Sequence, residues 1–154
     1  MAANQDVDAL LQALEDAVDE AILYIEGPGA TSQVVIDQWG PRDVFCHFLF
    51  WHEATARGME SVAGGGEPMR VETPLDEANA DAITSRAGQT ISQLVAEARR
   101  QQERLANAVH ALDDLSQTVL VRPDGTRLSA RQRLELIAHH WSEHIEELQA
   151  AANS

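Results

Sequence analysis

The 154-residue sequence predicts an all-α fold, a four-helix bundle with longer connections, on three observations. Four stretches carry apolar residues at three- and four-residue steps, the period of a helix with one buried face. Glycine- and proline-rich breakers separate them. Only residues 116–128 abandon that period.

In the first helix Val7, Leu10, Leu11, Leu14, Val18, Ile22 and Ile25 share a face, with acids between them. It stops at Gly27-Pro28-Gly29, and a polar linker follows. The second helix starts at Gly40-Pro41, because proline suits the first helical position and Asp43 complements the positive end of the helix dipole. It runs through Val44, Phe48, Trp51, Met59 and Val62 to Gly64-Gly65-Gly66.

Residues 64–75 read as a loop, with Thr73-Pro74 as the next cap. Helix resumes over 76–86, and Gly88 marks either a kink or an interruption. Ile91, Leu94, Val95, Ala98, Leu105, Val109 and Leu112 then form a long apolar stripe. Beyond it, Val119-Leu120-Val121, the turn residues Pro123-Asp124-Gly125-Thr126 and Arg127-Leu128 read either as a small hairpin or as a loop. Ser129 with Gln132 makes a capping box, which opens a last helix over about 130–150.

The length fits one domain over residues 1–154, and a hydrophobic share of 44% fits a folded core. A net charge of −14 argues against nucleic acid and against an anionic membrane surface as partners. All 11 basic residues are arginine. Schiff-base and phosphate-loop lysine chemistry are thereby excluded. Cys46 stands alone, so no intramolecular disulfide forms, which suits a reducing compartment. Residues 1–9 lack the basic start and apolar run of a signal peptide, and no stretch reaches 18 apolar residues. The expectation is a cytoplasmic protein.

Six histidines carry the functional signal. His140 and His144 are four apart, one turn of helix. With Ile137 at zero on a wheel of 100° per residue, Leu134, Trp141 and Leu148 fall within about 60° on one side and the two histidines within about 60° on the other. Both therefore face inward. His139 falls on the outer side with Glu135, Glu143 and Glu146. His47 lies at the edge of the second helix's apolar sector, between Val44 and Trp51, and His52 is partly inward near Phe45 and Phe48. His110 lies off its helix's stripe.

Inward imidazoles need partners for two ring nitrogens each. One solution for His47, His140 and His144 is a shared metal with positions left open for water or substrate. The other is a separate hydrogen bond for each. Gln102 reads either as an inward contact or as a residue at a locally exposed part of the bundle. Asp43 is explained by the helix start alone, and Trp51 and Trp141 pack the core or shape a pocket. Cys46 points away from His47 and is not counted as a ligand.

The segment Trp39-Gly40-Pro41-Arg42-Asp43-Val44-Phe45-Cys46-His47, with Trp51 four residues on, resembles the second-helix motif of the DinB-like superfamily. His140-Trp141-Ser142-Glu143-His144 resembles its closing motif, and Pro123-Asp124-Gly125 sits where relatives carry a short loop before the last helix. Gly40 departs from the serine or threonine common there. The resemblance implies a bundle that binds a divalent metal, zinc or nickel, through His47, His140 and His144, often as a homodimer. It implies a small-molecule substrate and, as in mycothiol-dependent maleylpyruvate isomerases and bacillithiol S-transferases, mycothiol or another low-molecular-weight thiol. Arg42, Arg57 and Arg70 are candidates for holding that thiol. No protein nucleophile stands out, so the reacting group is expected to be a metal-bound water or thiolate. A metal-dependent transferase or isomerase acting on a small electrophile is the leading expectation. A metal-dependent hydrolase and a non-catalytic sequestration protein are the alternatives.

Overall fold

The computed structural model describes residues 2–153, with side chains from residue 6. The reading of residues 1–9 as free of a leader therefore falls in part outside the described residues.

Four long helices form the bundle: α1 (Ala2–Glu26), α3 (Pro41–Ala63), α5 (Ile91–Ala111) and α6 (Ala130–Ala152). α1 and α3 occupy opposite corners, each packed on α5 and α6. Each helix turns its apolar stripe to one core, in which Leu14, Ile22, Leu49, Leu94, Leu105, Leu134 and Trp141 are almost fully enclosed.

The helix ends follow the local chemistry. At α3 the Gly40 N–H donates to Asp43 Oδ2 at 3.1 Å, so Asp43 serves the helix start. Thr90 with Gln93 and Ser129 with Gln132 form reciprocal capping boxes on α5 and α6. A one-turn helix, α2 (Pro28–Thr31), begins inside the Gly27-Pro28-Gly29 breaker, with a proline in its first turn. α4 (Leu75–Thr84) begins after Pro74, not Thr73, with no side-chain cap, and Asp76 and Glu77 face its dipole instead. Gly88 lies in the loop between α4 and α5, an interruption and not a kink.

The ambiguous stretch is a hairpin. β2 (Thr118–Val121) pairs antiparallel with β3 (Arg127–Ser129), Leu120 facing Leu128, with an irregularity beside Val119. Gly125, at φ 88°, makes the turn. A two-residue strand, β1 (Met69–Arg70), adds to β2 in parallel. This small sheet lies against α3 so closely that a Cβ on Gly58 would stand 1.9 Å from the Val119 carbonyl oxygen. Among the described residues no helix is long and apolar enough to cross a membrane.

Candidate metal and ligand site

α3 and α6 bring His47, His140 and His144 together. Ring centroids are 6.2 Å apart for His47–His144 and 5.9 Å for His140–His144. Trp39, held by a tight turn with Asp37 at φ 58°, packs on His47 at 5.0 Å. Phe48 touches both His47 and His144.

The best-defined member is His47. Asn79 on α4 presents Oδ1 to two donors at once, Trp51 Nε1 at 2.9 Å and His47 Nδ1 at 2.8 Å. An indole N–H can only donate, so the amide atom facing it must be the oxygen. His47 Nδ1 then carries the ring proton, and Nε2 keeps its lone pair. Burial, followed by the neighbouring His144 and His140, pulls the His47 pKa down to about 4 against the bond to Asn79, so the ring is neutral at pH 7. Burial likewise lowers the His140 pKa, helped by His144 and Arg133. Glu147 Oε2 stands 3.5 Å from His144 Nδ1. The arrangement resembles the histidine–oxygen pairs that orient metal ligands.

Three imidazoles on one ion at about 2.0–2.1 Å would have ring centroids roughly 5 Å apart. The His47–His144 and His140–His144 pairs are each about an ångström wider than that. Consistent with this, among the described residues no group of three or more His, Cys, Asp or Glu side chains is arranged to hold a metal ion. The donor chemistry fits a divalent ion; the spacing fits one only after the rings draw inward.

Beside the trio lies a cavity of about 140 Å³, bordered by His140, Asn79, Phe48, Trp51, Trp141 and Arg133, with Arg122 also in its lining. Arg42, Arg57 and Arg70 are not part of that lining. Arg42 is turned to the Arg86 carbonyl at 2.6 Å, Arg57 pairs with Glu53, and Arg70 is exposed on β1. Cys46 is buried and its thiol pKa is raised by burial. Gln102 points inward after all, its Oε1 2.8 Å from His52 Nε2. His110 and His139 are on the surface.

Sequence reasoning missed Asn79, Arg122 and Arg133. For Arg133 a signal existed: on the wheel that turns His140 and His144 inward, it falls between them, about 40° from Ile137. Asn79 and Arg122, polar residues in a short helix and at a strand end, carried none.

The fold and the inward histidines together define a helical-bundle protein with a histidine-bordered pocket between its helices. The chain belongs to the DinB superfamily, whose sequence model matches residues 2–148. Its structure is similar to that of a mycothiol-dependent maleylpyruvate isomerase, with a TM-score of 0.73, 16% identity, and coverage of 92% of this chain and 60% of that one. A histidine-to-alanine mutant of that isomerase matches with a TM-score of 0.72 and 15% identity, over the same shares of both chains. This chain thus spans about 60% of the length of those structures. No curated protein matches it in sequence.

Proposed function

We propose that the chain is a metal-dependent enzyme that joins a small electrophile to a low-molecular-weight thiol, or isomerises it with that thiol's help. In this reading His47, His140 and His144 hold a divalent ion, zinc or nickel. The observation that carries it is the shared Asn79 oxygen, which commits His47 Nδ1 to donation and leaves Nε2 unprotonated on a ring 6.2 Å from that of His144. A hydrogen bond at Nδ1 that leaves Nε2 free to ligate is the arrangement metal-binding histidines commonly show.

When bound, such an ion lowers the pKa of a thiol or of water, supplying a nucleophile at neutral pH. The chain's own residues do the rest. Trp39 and Phe48 shield the imidazoles, Asn79 fixes the ring of His47, and the cavity beside His140 seats the substrate away from bulk water. The superfamily membership and the likeness to a mycothiol-dependent isomerase support a thiol as co-substrate. A homodimer belongs to the same proposal, and sedimentation of the pure protein checks it.

Titration of untagged protein with Zn²⁺ or Ni²⁺ tests the metal centre. About one ion per chain is expected, with loss of that binding when His47, His140 and His144 are all replaced by alanine and the helical circular dichroism is retained. Equal binding by the triple variant would overturn the proposal.

A further inference from the structure

Arg133 is 3% exposed, yet among the described residues no carboxylate lies within 4.0 Å of it. Its Nε donates to Thr55 Oγ1 at 3.0 Å, and that hydroxyl in turn donates to the Trp51 carbonyl at 2.8 Å. The guanidinium carbon sits 5.7 Å from the centroid of the Trp51 ring. These contacts fix the head group but leave Nη1 and Nη2 without a hydrogen bond among the described residues. Neither Nη is among the sealed, unpartnered polar atoms, which are Tyr24 Oη, His52 Nδ1, Gln101 Oε1 and Trp141 Nε1. Neither is sealed from solvent-sized space, and Arg133 is one of the residues that line the cavity.

The chain buries one other arginine, and does so differently. Arg86 is held by Glu97 through contacts of 2.9–3.2 Å, with Glu53 at 3.8 Å. That is how a buried guanidinium is ordinarily tolerated, because an unpaired charge out of water is costly. Around Arg133 the opposite holds. The sequence has 25 acids, and not one lines the cavity. What lines it instead is a second arginine, Arg122, which adds like charge. Burial and then Arg122 draw the Arg133 pKa down to about 9, so it is still a cation at neutral pH.

We propose that Arg133 and Arg122 form a carboxylate subsite, and that the cavity takes a small carboxylate whose apolar body packs on Phe48, Trp51 and Trp141 beside His140. A carboxylate matches the two free ends of a guanidinium and supplies the charge the protein withholds. The volume, about 140 Å³, is close to that of a cavity known to take benzene. The inference rests on the cavity's being the substrate site of the enzyme proposed above, but not on a metal at the histidines.

The test is a titration of the chelator-treated full chain with sodium benzoate and sodium crotonate, followed by tryptophan fluorescence, against benzamide and crotonamide. At least one carboxylate is expected to bind about tenfold or more tightly than its neutral amide. Arg133→Met should abolish that preference, and Arg122→Gln should weaken carboxylate binding about threefold and flatten its salt dependence. No preference in the parent chain, or a preference unchanged in Arg133→Met, overturns the proposal. Inorganic phosphate competing as strongly as the carboxylates overturns it too, by assigning the pair to a bare oxyanion. Should Arg133→Met fail to fold, the acid–amide comparison and Arg122→Gln decide. Because metal is absent throughout, carboxylate binding without zinc affinity would keep this subsite and remove the metal centre. Zinc affinity without carboxylate binding would do the reverse.

Discussion

His52 is the most completely buried histidine, 1% exposed, with Nε2 bound to Gln102. Burial lowers its pKa from 6.5 to about 4, against the Gln102 bond, and Arg133 adds to the lowering. The unfolded chain therefore binds this proton more readily than the folded one. Stability is whole above about pH 6.5 and drains away as pH falls toward about 4, by on the order of 3 kcal/mol for this group. The stability gap between the parent and His52→Gln should narrow over that window; parallel curves from denaturant melts would refute it. Asn79 makes a different prediction. Asn79→Ala frees the His47 ring and should cost about 10–100-fold in zinc affinity, whereas Asn79→Asp keeps both acceptor contacts and should cost far less. At this scale the sequence exposed the histidines, because inward periodicity marks a polar residue as unusual. It hid Asn79, since an asparagine on a ten-residue amphipathic helix looks like any solvated position until its neighbour across the bundle is known.

Among the elements, the long helices were legible because each carries its own period and caps, and Gln132 answers Ser129 within one turn. The hairpin was undecidable from strands of four and three residues. β1 was invisible, since its parallel partner lies about fifty residues away and nothing local reveals such pairing. These short strands nevertheless position the site: β2 ends at Val121, one residue before Arg122, and β3 runs directly into α6 with its two histidines and Arg133. Their seat on α3 depends on Gly58. With a Cβ 1.9 Å from a backbone oxygen, Gly58→Ala cannot be absorbed by a side-chain rotation, and the sheet must move. Although alanine favours the helix by about 1 kcal/mol, a net loss of about 2 kcal/mol or more is expected. Unchanged stability in urea unfolding would mean that the sheet is not anchored there.

Across the molecule, charge and topology act together. A net charge of −14 surrounds a pocket whose own lining holds two arginines and no acid, so the exterior concentrates divalent cations while the interior is built for an anion. Any ion that His47 shares with His140 and His144 ties α3 to α6, elements far apart in the chain, and exists only in the folded state. Zinc at a hundred times its dissociation constant should then add about 2.7 kcal/mol to stability. For a chain of this size that corresponds to a rise in Tm of roughly 5–10 °C. Loose binding to the acidic surface is the competing explanation, and the two respond oppositely to controls. Site binding should persist in 0.3 M salt and vanish when the three histidines are replaced by alanine; surface binding should fade with salt and ignore the substitutions. A thermal shift equal in parent and triple variant would leave the histidines as neighbours in a core, each needing only its own hydrogen bond.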